Sequence, residues 1–157
     1  MLQAATIDAT SPRETHATEL FGPLQVAEHQ MFRFDDGLLG FPSCKRWMLI
    51  EGARAGTAWL QSVDHTSLAF LLVDPFVAFD GFAVELGHAD LRRIDAAPDA
   101  DLLVYALVTV SGEHATANLR GPLVIDVRTR RGMQVVLPES AWGLCETVPA
   151  SVFAHTG

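Results

Sequence analysis

The sequence predicts a mainly β, single-domain fold: an antiparallel, barrel-like sheet with one short helix. From His29 onward, short apolar runs of strand length alternate with turn signals, the pattern of a sandwich or barrel. The stretch Asp101–Val110 is apolar on both faces, as a central strand covered on two sides must be. At 157 residues and 49% hydrophobic content, the chain has the size of one domain with one core.

The elements follow in order. Met31–Phe34 is a first short run, closed by Asp35-Asp36-Gly37, where glycine supplies a positive φ and aspartate bonds its own backbone. Trp47–Ile50 is the next strand. Ala58–Val63 and Leu68–Val73 form a hairpin across the polar "DHTS". Phe82–Leu86 alternates as a further strand. "LGHADLRRI" abandons that alternation: Leu91 and Ile94 stand three apart, Gly87 serves as N-cap and Asp90 sits in the first turn, which predicts the helix. After Asp101–Val110 come two separate strands, Ala115–Leu119 and Leu123–Val127, divided at Arg120-Gly121-Pro122 because proline cannot donate to a ladder. "RTRRG" then turns the chain into Met133–Leu137, with Gly132 as the expected positive-φ residue.

Three regions emerge: a flexible acidic leader over residues 1–28, the β domain over 29–140 and a tail over 141–157. The leader carries Asp8, Glu14, Glu19 and Glu28 against Arg13, a net −3 that leaves −5 of the total −8 for the rest. So acidic a surface disfavours phosphate binding and suits basic partners. No apolar run reaches the ~18 residues of a membrane span, and the N-terminus lacks the basic start and apolar core of a secretion signal, so a cytoplasmic location is expected. Cys44 and Cys145 lie far apart in no metal-binding spacing and are expected as free thiols.

Few residues are spaced for catalysis or metal binding. Ser62, Asp64 and His65 crowd one stretch, yet strand alternation sends neighbours to different sides, and no nucleophile elbow surrounds the serine. A small hydrolase using Asp64 and His65 therefore stands only as an alternative. The histidines form no metal-ligating spacing and "GLLGF" lacks the lysine and helix of a phosphate loop, so no catalytic residue, metal or cofactor is expected. A second alternative is a nucleic-acid-binding barrel using Arg120, Arg128, Arg130 and Arg131.

Three separated segments, "GLLGFP" (37–42), "WLQSVDHTSLAFLLVDPF" (59–76) and "TANLRGPLVIDVRTRRGMQVVL" (116–137), resemble the signature segments of the flagellar assembly factor family, FliW, in order and spacing. The resemblance covers roughly residues 29–140. It implies a non-enzymatic, chaperone-like protein of the bacterial cytoplasm, monomeric when free. Its partners would be the translational repressor CsrA, whose block on flagellin synthesis it relieves, and flagellin itself, with no direct contact to nucleic acid. By match to the family segments, the expected partner-binding residues are Gln61, Asp64, Asp74, Phe76, Phe79 and Asn118, all read as lying near the surface. Three features depart from the family pattern: the leader is longer, the tail "AWGLCETVPASVFAHTG" is more apolar, and Gly87 stands where a serine N-cap would be more usual.

Because Leu107 sits in the doubly covered run, Leu107→Ala is expected to cost ~2–5 kcal/mol in lost transfer energy plus cavity. Urea unfolding measures this, and an unchanged midpoint would place the core elsewhere.

Overall fold

The computed structural model describes residues 13–137 and 142–153. Its ten strands are β1 (Arg13–His16), β2 (Leu24–Ala27), β3 (Met31–Arg33), β4 (Arg46–Glu51), β5 (Thr57–Ser62), β6 (Ala69–Val73), β7 (Leu102–Ser111), β8 (His114–Asp126), β9 (Arg131–Gln134) and β10 (Glu146–Thr147). Two short α-helices, α1 (Pro75–Ala78) and α2 (His88–Arg93), lie between β6 and β7. Seven strands close on themselves in the order β8-β7-β6-β5-β4-β3-β9. Every pairing in the ring is antiparallel except the seam between β3 and β9, which is parallel and rests on Arg33 opposite Arg131.

Strand alternation sorts the apolar residues into separate layers. Phe32, Phe34, Trp47, Leu49, Leu60, Leu72, Tyr105, Leu123 and Ile125 fill the barrel, with the Cys44 thiol among them. Their neighbours on β6, β7 and β8, including Val73, Ala106, Val108, Ala117 and Leu119, face outward beneath Phe79, Phe82 and Val148. A third layer, Ile94, Val124, Met133 and Val135, joins the end of α2 to the wall. β7 is thus covered on both faces along its first half, as its unbroken apolar run predicts. Leu107 itself is only half-buried, so its truncation falls toward the lower end of the expected range.

Several expectations are corrected. The leader is not flexible throughout: β1 and β2 form a hairpin ordered by the Arg13–Ala27 to His16–Leu24 register. The hairpin is fastened to the barrel by an edge-on contact of Phe21 with Trp59, centroids 5.6 Å apart, and by Glu19 N–H donating to Thr66 O at 3.0 Å. Residues 1–12 of the expected leader lie outside the described residues. The tail contributes too, since β10 adds to β8, Val148 is buried, and Trp142 meets Phe79 and Phe82. Phe82–Leu86 forms no strand. Its alternating Phe82, Val84 and Leu86 are buried or half-buried against the outer layers, but its backbone pairs with none of the described strands. Alternation there reports burial, not pairing.

The break expected at Pro122 does not occur, because β8 runs through it as a bulge. Tyr105 faces Leu123 and Leu107 faces Asn118, so Ala106 alone spans the interval taken on β8 by Leu119 to Pro122. Asn118 Oδ1 accepts the N–H groups of Arg120 and Gly121, both at 3.0 Å, which holds the bulge. Pro122 needs no donor there, and its carbonyl accepts from Val135.

Gly37 has the expected positive φ of 64°, whereas in "RTRRG" the left-handed residue is Arg130, φ 58°, and not Gly132. Asp126 Oδ1 accepts from Arg128 N–H and Thr129 N–H, and this side-chain turn moves the left-handed position forward. Gly132 is needed for space instead: a Cβ there would stand 2.6 Å from the Phe34 ring, which the barrel interior holds fixed. Gly132→Ala is therefore expected to destabilise the fold by ~1–3 kcal/mol through overpacking. A Phe34→Leu background, whose side chain can yield, should reduce that loss in the same thermal or urea measurement.

Candidate partner-binding surface

The expected site residues divide into three places. Asp64 closes the turn after β5, Asp74 and Phe76 stand at the far end of the same hairpin, and Asn118 lies in the β8 bulge, so they form no single constellation. Gln61 is corrected: it is fully buried, because its outward-facing side of β5 is roofed by the N-terminal hairpin that a flexible leader would have left open. Its Nε2 donates to the carbonyls of Ser62, Thr66 and Leu68. Phe79 is corrected likewise; at 8% exposure it belongs to the layer under α1.

Ser62, Asp64 and His65 do not converge. The serine is buried and its Oγ accepts the His65 backbone N–H at 2.9 Å, while the imidazole is exposed. Asp64 turns toward β4, accepting from Lys45 N–H and Arg46 N–H at 3.2 Å and from the Arg46 guanidinium at 3.2 Å. Partial burial by itself raises its pKa, but the two backbone donors and the Arg46 charge outweigh that and hold the carboxyl below the usual carboxylate value.

Of the four arginines expected for a nucleic-acid surface, Arg130 and Arg131 are neutralised by carboxylates. Arg130 pairs with Glu28 at 2.8 Å, Arg131 with Asp35 at 2.9 Å and with Asp95 at 3.4 Å, and neighbouring Arg33 and Arg46 pair with Asp35 and Asp64. Arg120 Nε donates to Leu137 O. A phosphate chain would have to displace these carboxylates one by one.

What remains open is the ridge of α1. Asp74 caps the helix, its Oδ1 accepting Phe76 N–H at 2.9 Å, and Pro75 occupies the first helical position, where a missing N–H costs nothing. "DPF" thus starts a helix, with aspartate as the cap and proline in the first turn. The cap leaves Phe76 50% and Val77 68% exposed. The Phe76 ring stands edge-on against Phe82, centroids 5.3 Å apart, and Phe82 in turn meets Trp142, so the ridge is held on an aromatic base. Beside it opens a cleft of ≈ 380 Å³ lined by Glu51, Asp74, Val77 and Tyr105 together with the 52–57 turn. Burial first, then the charges of Asp74 and Glu51, push the Tyr105 phenol above the usual tyrosine range, so it stays a neutral hydroxyl. Val77, Glu51 and Tyr105 were not among the expected residues: nothing in their local spacing joins them, and only strand pairing brings them together. An apolar ridge beside neutral and acidic groups can grip a polypeptide. Among the described residues no group of three or more His, Cys, Asp or Glu could hold a metal ion, and no helix is long and apolar enough to cross a membrane.

Residues 15–148 match the model of the family described as FliW protein. A flagellar assembly factor FliW of Treponema denticola is 32% identical over 139 residues, covering 87% of this chain and 95% of that protein. Another, of Natranaerobius thermophilus, is 38% identical over 124 residues, covering 76% and 82%. A crystal structure of the flagellar assembly factor FliW superposes with a TM-score of 0.79 at 30% identity, over 88% of this chain and all of that one.

Because the folded Asp64 carboxyl is the stronger acid, it adds stability above the ordinary carboxylate pKa that is lost as pH falls through the lower folded value. Asp64→Asn should lower stability at neutral pH by ~0.5–1 kcal/mol, the modest scale of an exposed, hydrogen-bonded ion pair. In urea unfolding across pH, the gap from the unsubstituted protein should close on acidification; a pH-independent gap would assign the loss to shape instead of charge.

Proposed function

The chain belongs to the FliW family, and on that premise we propose that it is a non-enzymatic flagellar assembly factor of the bacterial cytoplasm that binds CsrA and flagellin. By holding CsrA it relieves repression of flagellin translation, and unsecreted flagellin competes for it and restores the repression. The observation that carries this reading is the Phe76–Val77 ridge, apolar area left in water where the "VDPF" segment of the resemblance ends. Of the partner-binding residues that remain accessible, Asp74 and Phe76 belong to it and Asp64 stands at the other end of the hairpin, whereas Phe79 supports the ridge from beneath and Gln61 ties the far turn. Asn118 serves it indirectly by shaping the wall on which α1 rests.

Charge supplies the means of relief. A partner with formal charge −8, docked beside the basic RNA-binding surface of a repressor, sets like charge against incoming phosphates without filling the RNA site. Displacement of RNA should then weaken as salt rises, since the Debye length falls from ~10 Å at 0.1 M to ~3 Å at 1 M.

A pull-down with the full chain from lysate of a flagellated host, scored for flagellin and CsrA, tests the reading. Both are expected on the bait, and Phe76→Asp combined with Val77→Asp should cut their retention about tenfold, the scale of a lost apolar anchor. Capture of neither protein by the unsubstituted chain sinks the proposal, and salt-independent RNA displacement sinks its electrostatic part.

A further inference from the structure

The barrel wall is incomplete at one place. β9 meets β3 through the single pairing of Arg33 with Arg131, and past that point the 37–42 loop, not a strand, lies alongside. The chain nevertheless stays extended on β8: Val135 N–H donates to Pro122 O at 2.9 Å and Leu137 N–H to Arg120 O at 2.8 Å. Main-chain bonds in an antiparallel pair alternate in direction, so the N–H and C=O of Gln134 and Val136 point to the opposite edge. The loop reaches that edge only through a side chain, Leu39 N–H donating to Gln134 Oε1 at 2.9 Å. Val136 makes no hydrogen bond among the described residues.

This bare edge borders a cleft of ≈ 640 Å³. Leu39 and Val136 stand on its rim, 64% and 59% exposed, which is unusual area for two adjacent aliphatic side chains to leave in water. Asp36 is neutralised by Arg93 at 2.7 Å, whereas Glu85 and Asp90, on the same cleft, have no cation partner among the described residues. Asp90 only accepts Gly87 N–H at the start of α2.

We propose that this edge is a second docking site, taking an extended basic and apolar segment of a protein partner as an added strand along Gln134–Leu137. The main chain of such a segment bonds to Gln134 and Val136. Its apolar side chains cover Leu39 and Val136, and its lysines or arginines meet Glu85 and Asp90. A helix would leave the Val136 N–H and C=O unmet, and RNA or a second copy of this acidic chain would bring negative charge to an edge that already has a surplus. The inference deepens the partner-binding reading and rests on it.

The test is titration of the isotope-labelled full chain with short overlapping peptides tiling flagellin and CsrA, read by amide NMR. A basic, apolar peptide should shift Leu39, Gln134 and Val136 and slow hydrogen exchange at Val136. Val136→Pro removes only a donor that β8 does not use; it should weaken that peptide by about tenfold, up to the worth of one lost bond and its contacts. Glu85→Lys, on an exposed loop, should weaken it independently and decides the matter if the proline variant fails to fold. Shifts confined to the Phe76–Val77 ridge, dimerisation through Val136, or unchanged affinity in both variants overturn the edge site. If the unsubstituted chain and both variants retain intact flagellin or CsrA equally, the edge site fails while the proposed function stands; retention of neither by the unsubstituted chain overturns both.

Discussion

The structure depends on one strand serving two sets of neighbours. The first half of β8 lies between β7 and β10, its second half between β7 and β9, and the change is made at the Asn118–Pro122 bulge. A regular ladder through these residues would require a donor that Pro122 lacks and would hold the strand too straight to reach β9. The bulge removes both difficulties, and the Asn118 side chain satisfies the two N–H groups it frees. With β9 drawn in, the ring closes and Leu123 and Ile125 complete the interior.

Closure of the ring with strands of unequal length leaves parts of the wall to be covered by other means. The N-terminal hairpin roofs β5, α1 and the Trp142 region cover β6 and β7, and the end of α2 covers β8 and β9. The partner-binding candidates lie at the margins of these covers. On α1, the face turned to the barrel is consumed by Ala78 and its aromatic base, so the opposite face must present Phe76 and Val77 to water. At the β3–β9 seam, the covering loop is tied by a side chain and the main-chain edge stays bare. Electrostatics separate the surfaces further, because Arg130 and Arg131 at the β8–β9 tip sit in ion pairs while acids at both clefts remain in excess.

Strand positions were legible in the residues where alternation was clean and turns carried their usual chemistry. β4, β5, β6, β7 and α2 all fall within a residue or two of expectation, and "DHTS" is the hairpin turn it reads as. The misreadings share one origin. Phe82–Leu86 alternates because side chains pack beneath it and not because its backbone pairs, Pro122 breaks a donor pattern but not a strand, Gly132 yields space and not a turn, and the leader pairs with itself and docks on Trp59. In each case the local signal was real and its meaning lay in a distant neighbour.

The candidate site divides the same way. The family segments, the acid surplus and the positions of Asp74 and Phe76 are properties of the chain read in order, since capping and net charge depend on residues close in sequence or on none at all. Which of the expected residues reach solvent was decided by tertiary structure alone. Gln61 and Phe79 disappear beneath covers contributed from elsewhere in the chain, and Val77, Tyr105 and Val136 acquire their setting from strands paired across long separations. Exposure is a property of what packs against a residue, and a linear pattern does not carry that partner.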